Sequence, residues 1–197
     1  VTVTYTGLEA VHDREHARNQ DDVDRKSFLD DQMKQQIPAT AEIDLKKQPD
    51  WSDPEAQFVA EYKVSIPAWA SNAGKRMLIP AAVFTGIEKH LFEHANRIHD
   101  VYVDYPHEKD DDVTIVLPQG WEADKVPAPV SKDGKLMVYS LNVENDKTTL
   151  HLTRRLTWNF LLIDAKYYPA LQNFFQDVRT GDDQQIVLQP VPQAAAK

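Results

Sequence analysis

From Ile98 onward the chain is written almost entirely in period two, and that alternation limits the folds open to it. Val101, Val103 and Tyr105 recur at every second position, as do Val113, Ile115 and Leu117. Lys135 to Glu144 and Thr148 to Leu156 flank Asn145-Asp-Lys147, a hairpin signal. Successive side chains of a strand point to opposite faces, so each segment has one apolar and one polar side. That is the pattern of antiparallel sheets packed over a core.

The first half reads differently. Val1 to Thr6 alternates like a strand and stops at Gly7, and a strand beginning at residue 1 suggests a piece excised from a longer polypeptide. Asp13 to Gln36 is polar and glycine-free, with Pro38 as a stop. Leu29, Met33 and Ile37 line one face of a helix there, with Asp21, Asp22, Asp24, Arg25 and Lys26 on its solvated side. Strands follow at Ala41 to Lys46 and Phe58 to Ile66, separated by a turn containing Pro49 and Pro54. Pro67 to Lys75 is a loop, Arg76 to Ile79 a short strand, and Phe84 to Arg97 irregular or weakly helical.

After the β-rich stretch, Tyr168, Leu171, Phe175 and Val178 form the apolar stripe of a last helix. Asp164 is its expected cap and Gly181 its expected stop. Phe174 falls on the other side, where truncation should be milder than at Phe175 unless it contacts the first half of the chain. Ile186 and Leu188 return as a strand, and Ala194 to Lys197 reads as a tail. Tyr167, Tyr168, Phe174 and Phe175 occupy opposite sides of this helix, so one side must face something other than its own sheet, either the first half of the chain or a neighbouring domain.

The expected architecture is α+β, predominantly antiparallel β, with sandwich-like sheets, one long helix in the N-terminal half and one short C-terminal helix. Composition changes near residue 97. Residues 1–97 form a strand-helix-strand half and 98–197 a β-sandwich-like half, either as two domains or as one continuous domain. At 197 residues with 42% hydrophobic content the chain is long and apolar enough for a stable core. A mean hydropathy of -0.54 implies a soluble chain. A net charge of -9 opposes a nucleic-acid partner, which requires a basic face. No apolar run approaches the roughly 20 residues needed to span a bilayer.

The chain has no cysteine, which removes thiol nucleophiles, thiolate metal sites and disulfides together. His90 and His94 at i, i+4, with His99 and either Glu93 or Asp100, would suit zinc, but the His-Glu-x-x-His pattern is missing. Asp104, Glu108, Asp110, Asp111 and Asp112 concentrate carboxylates between two strands without the Asp-x-Asp-x-Asp-Gly pattern of a calcium loop. Ser140 and His151 can be drawn with an Asp as a triad, but no Gly-x-Ser-x-Gly elbow surrounds a serine. Trp51, Trp69, Trp121 and Trp158 would serve either as a stacking platform or as packing. Arg154 and Arg155 point to opposite faces of a strand, so one of them should lie inward and pair with a carboxylate. No catalytic, cofactor-binding or metal-ligating residue is assigned, and no cofactor is expected.

Several segments in order carry a resemblance: Tyr5-Thr-Gly-Leu-Glu-Ala10, Ala73-Gly-Lys-Arg-Met-Leu-Ile-Pro80 and Arg97-Ile-His-Asp-Val-Tyr-Val-Asp-Tyr-Pro106. Asp111-Asp-Val-Thr-Ile-Val-Leu-Pro-Gln-Gly-Trp121 and the Tyr168-Pro-Ala-Leu171 segment continue it. Together they resemble the β-rich region that follows the papain-like core of bacterial exported transglutaminase-like proteins. The resemblance implies a periplasmic or secreted location and an upstream transglutaminase-like domain of the same polypeptide as partner. Such a core works through a Cys–His–Asp triad, so no catalytic residue carries over to a chain without cysteine. The function this implies is that of a non-catalytic accessory domain, packing on the core or orienting its substrate. The alternative is an independent peptide- or glycan-binding β-sandwich module.

Overall fold

The computed structural model describes residues 1–191; Ala194 to Lys197, expected as a tail, lie outside the described residues. The chain divides into two units, Val1–Pro67 and Ala68–Lys197. The division falls earlier than the compositional change at residue 97. The reason is long-range pairing: the strand Arg76–Pro80 is hydrogen-bonded to the last strand of the chain, Gln185–Pro190.

In the first unit, β1 (Thr2–Tyr5), β2 (Glu42–Lys47) and β3 (Phe58–Ser65) form an antiparallel sheet in the order β1-β3-β2. Two helices precede β2, where a single long one was expected: α1 (Gly7–His16) and α2 (Asp22–Gln36). The break is made by Asp21, whose carboxylate accepts the N–H groups of Val23 and Asp24 at 2.9 Å each and so caps α2. Leu29, Met33 and Ile37 are buried, as their spacing predicted, and so are Phe58, Ala60 and Tyr62 of β3 and Ala10 and Ala17 from α1 and its end, with the Tyr62 hydroxyl donating to the Leu29 carbonyl at 3.2 Å.

The second unit carries the remaining strands. β4 (Ser71–Ala73) and β5 (Arg76–Pro80) turn back on each other through Gly74, whose φ of 67° suits glycine. β6 (Val101–Tyr102) is short and β7 (His107–Val116) long. β8 (Trp121–Lys125) and β9 (Val130–Asp133) lead to the hairpin of β10 (Met137–Asp146) and β11 (Thr149–Trp158), in register from Met137↔Trp158 to Asp146↔Thr149. β12 (Leu162–Ile163) precedes α3 (Tyr168–Asp182), and β13 (Gln185–Pro190) closes the unit. All pairings are antiparallel, in sheets ordered β7-β11-β10-β9, β4-β5-β13-β8 and β12-β6.

A single core joins the two larger sheets and α3. Tyr139, Leu141, Leu150, Leu152 and Leu156 come from β10 and β11, Ile79, Ile186 and Leu188 from β5 and β13, and Leu171, Phe175 and Val178 from α3. The predicted helical stripe is therefore buried. Phe174 is buried as well, only 8% exposed, because the turn before β10 brings Gly134 against its ring. Phe92, from the first half of the sequence, packs on the same stripe: its ring lies 4.9 Å from that of Phe175 and 6.2 Å from that of Tyr168. Three corrections concern this helix. It has 15 residues, the same as α2. Asp164 starts a 3-10 turn without capping it by its side chain, and instead pairs with Lys166 at 2.8 Å. Gly181 lies inside the last turn of the helix rather than ending it.

Candidate functional site

The period-two pattern of β11 places Leu150, Leu152, Arg154 and Leu156 on the inner face, so a guanidinium sits in a row of leucines. Arg154 is 2% exposed. Burial at this depth is tolerable only when the charge is paired and hydrogen-bonded. Its Nε and Nη2 donate to the two carboxylate oxygens of Asp182 at 2.8 and 2.9 Å, a bidentate pair. Its Nη1 lies 3.5 Å from Asp111 Oδ2, and the Tyr139 hydroxyl donates to Asp182 Oδ1 at 2.9 Å.

The local structure explains why each partner is there. Asp182 stands at the C-terminal end of α3, where the helix dipole disfavours an anion; Arg154 offsets that. Gly181 lets Tyr139 reach Asp182, because a Cβ there would lie 2.3 Å from the tyrosine oxygen. Burial raises the Tyr139 pKa, and the Asp182 charge raises it further. Burial works against the Arg154 charge, but the Asp182 contacts more than compensate and its pKa is raised. Burial also lifts Asp111 to about 6, with Lys109 and Arg154 pulling it back.

A second buried pair adjoins this one: Lys109 Nζ donates to Glu88 Oε1 at 3.0 Å and to the Phe84 carbonyl. These groups tie β7, β11, the end of α3 and the segment around Glu88 into one unit. Their charges are turned on one another. The network's evident work is to fix the position of α3 and of the residue 84–94 segment. That segment is held further by the Tyr168 hydroxyl and the Gln172 amide donating to the His94 carbonyl at 2.9 and 2.8 Å, and by Arg179 donating to the Leu91 carbonyl at 2.9 Å.

The residues weighed for chemistry are scattered. His90 is exposed, with Nδ1 3.2 Å from Glu93 Oε1, while His94 makes its contacts with α3 through its carbonyl. Among the described residues no group of three His, Asp or Glu side chains is placed to hold a metal ion. The carboxylates Glu108, Asp110, Asp111 and Asp112 lie on β7 itself and not in a loop between strands. Neighbouring side chains explain how a strand carries them: Arg155 chelates Asp110 at 2.6 and 2.8 Å, Arg154 approaches Asp111, and His151 meets Asp112 at 2.8 Å. Arg154 and Arg155 thus behave as expected, one inward and one outward. Ser140 pairs with Arg155 and His151 with Glu144 across the hairpin, so the two stand four residues apart, about 13 Å along a strand.

The tryptophans pack against residues of their own units. Trp51 belongs to the first unit, where its ring is 4.8 Å from Phe58 and its Nε1 donates to Gln48 at 3.2 Å. Trp69, Trp121 and Trp158 are partly buried against the core of the second unit, with Trp158 stacked 4.5 Å from His107. Sequence reasoning missed the buried acids Asp13, Glu88 and Asp182. Asp13 sits on α1 beside Gln32 Nε2 at 3.1 Å, and burial raises its pKa. Helix phase alone would have hinted at Asp13, since it lies three residues from the buried Ala10.

The exposed apolar side chains of the second unit include a group on and beside the β6–β12 pair. In the β6–β12 pair Tyr102 lies directly opposite Leu162, and the two are 66% and 57% exposed. Cross-strand partners share a face, so the mini-sheet turns its apolar side to solvent while Val101 and Ile163 face the core. Leu161, Tyr167 and Ile98 are exposed on the flanking turns. The mini-sheet is held firmly for so short a pair: Asp100 Oδ1 accepts the Ala165 N–H at 2.7 Å, and the Val103 N–H donates to the Leu161 carbonyl at 3.0 Å. No helix among the described residues is long and apolar enough to cross a membrane.

No curated protein and no solved structure matches the chain. One family model does match, described as a Domain of Unknown Function with solved-structure structure (DUF3858), over residues 75–188. The matched stretch runs from the β4–β5 turn into β13 and takes in the Arg154–Asp182 network, the β6–β12 face and more than half of the chain. The chain belongs to the DUF3858 family of domains of unknown function.

Proposed function

We propose that the chain is a non-catalytic accessory domain of an exported transglutaminase-like protein, periplasmic or secreted, which packs on the catalytic core of the same polypeptide or orients its substrate. The observation that carries this reading is the exposed Tyr102–Leu162 pair on a mini-sheet pinned in place by Asp100. An apolar face of this kind, rigid and displayed, suits docking against a neighbouring domain. Burying a large apolar side chain contributes about 1.5–3 kcal/mol, so a few such residues would hold two linked domains together. The ordered segments that resemble the transglutaminase-like proteins supply the identity of that neighbour. With no cysteine in the chain, thiolate chemistry would come from the core.

The test is a transamidation assay on the longer polypeptide, intact and with Tyr102→Ser and Leu162→Ser combined. The isolated chain should have no activity, and the double variant should lower the activity or thermal stability of the longer polypeptide while leaving the isolated chain's melting temperature within a degree or so of the parent's. Activity of the isolated chain that a single substitution within it abolishes would sink the proposal. So would a double variant that behaves like the parent in the longer polypeptide.

A further inference from the structure

β7 is the edge of its sheet, ten residues long, and among the described residues no strand pairs with its other side. The direction of its free hydrogen-bonding groups follows from the ladder. The Leu117 N–H donates to the Thr148 carbonyl, and the β7–β11 register runs without a bulge from Val116↔Thr149 to His107↔Trp158. In an antiparallel pair the bonding direction alternates residue by residue. Residues 109, 111, 113 and 115 therefore bond to β11, while Glu108, Asp110, Asp112, Thr114 and Val116 present their N–H and C=O groups to the open edge.

Two further observations say what would fit there. On the inner face Val113 and Ile115 are only partly buried, whereas their neighbours Leu150 and Leu152 on β11 are fully covered. On the outer face Glu108, Asp110 and Asp112 stand in a row, about half to three-quarters exposed, with the permanently charged Arg155 beside Glu108 and Asp110. Long open edges are usually blunted because they recruit other strands. Among the described residues no strand covers this edge, and the blunting charges along it set a charge preference.

We propose that the open edge of β7 takes up an extended peptide segment of alternating basic and apolar residues, added as a further strand of the sheet. Basic side chains of the peptide lie on the outer face beside Glu108, Asp110 and Asp112, and its apolar side chains complete the cover over Val113 and Ile115. Main-chain bonds to residues 110, 112 and 114 supply affinity, and the alternation supplies specificity, as in strand addition generally. A second copy of this chain is the poorer occupant, because antiparallel self-pairing centred on residue 110 or 111 sets carboxylate against carboxylate. The inference does not depend on the docking role of the β6–β12 face.

The experiment mixes the whole chain with a labelled synthetic peptide of alternating lysine and valine. Controls are an alternating glutamate–valine peptide and a peptide of the first composition with its lysines and valines in two blocks. Binding is followed by anisotropy, and amide exchange at Asp110, Asp112 and Thr114 by NMR. The alternating lysine peptide should bind and slow exchange at those amides, and the controls should not. Asp110→Asn with Asp112→Asn should weaken binding about tenfold, the combined size of two opposite-charge cross-strand pairs. Thr114→Pro removes an outward N–H that β11 does not use, which edge strands tolerate, and should abolish binding; if that variant fails to fold, the Asn pair carries the test. Equal binding of a control peptide, slowed exchange elsewhere but not at β7, no binding at all, or concentration-dependent protection of β7 in the chain alone would each overturn the proposal.

Discussion

Replacing Gly181 by alanine puts the packing of α3 to a quantitative test. In a helix interior alanine is favoured over glycine by about 1 kcal/mol, so helix propensity alone predicts a more stable protein. The structure predicts the reverse. The added Cβ would lie 2.3 Å from the Tyr139 hydroxyl oxygen, 2.7 Å from Cε1 and 2.9 Å from Cζ. Tyr139 is fully buried and its hydroxyl is held by Asp182, so it has nowhere to go. Overpacking of this kind costs about 1–3 kcal/mol, and pulling a buried hydroxyl off its acceptor about another 1–3. After the propensity gain the net loss is roughly 3 kcal/mol, a large part of a usual stability of about 5–15. Because the chain has two units, unfolding is best followed in a Trp51→Phe background, where tryptophan fluorescence reports only Trp69, Trp121 and Trp158 of the second unit. A urea midpoint that stays put or rises in Gly181→Ala refutes the reasoning. A double-mutant cycle with Tyr139→Phe sharpens it: removing the nearest atom should recover part of the loss, and additive losses would mean that the contact is not the cause.

The same denaturation assay checks three more expectations. Arg154→Met leaves Asp182 buried without its bidentate cation and should cost about 3–5 kcal/mol; a change below about 1 would mean the network is solvated. Phe174→Ala and Phe175→Ala should both cost about 3–5 kcal/mol, since both rings are buried, and a mild Phe174→Ala would restore the reading from helix phase. Asp111 gives a pH signature: burial holds its folded-state pKa near 6 against an ordinary 3.8, so the folded chain keeps the proton to higher pH than the unfolded one. Its stabilising contribution is then full below about pH 4 and lost as pH rises through about 6, a fall of about 3 kcal/mol for a shift of two units. Asp111→Asn should flatten that slope, and an unchanged slope in the variant contradicts the assignment.

What the sequence made legible was set by short-range periodicity. The β10–β11 hairpin, β3, β5 and the stripe of α3 follow from alternation at two or at three to four residues, which local chemistry fixes. The opposite faces of Arg154 and Arg155 follow from the same rule. The misreadings share a cause as well. A row of acids on β7 looks like a loop until Arg154, Arg155 and His151 are seen beside it, and these partners are about forty residues away in sequence. Gly181 looks like a helix stop until Tyr139 is found against it, and Phe174 looks peripheral until Gly134 closes over it. The α1–α2 break was within reach, since Asp21 before an acidic first turn is a helix-start signal. The exposure of Tyr102 and Leu162 was not, because two-residue strands carry too little pattern to assign a face.

Hydrogen exchange by mass spectrometry, comparing the isolated chain with the longer polypeptide of the proposal, tests the docking account most directly. The account predicts that amides of β6 and β12, together with the turns holding Ile98, Leu161 and Tyr167, exchange more slowly in the longer polypeptide, while those in the centre of the β10–β11 hairpin are unchanged. Unaltered exchange at β6 and β12, or an upstream polypeptide lacking a Cys–His–Asp core, would contradict it.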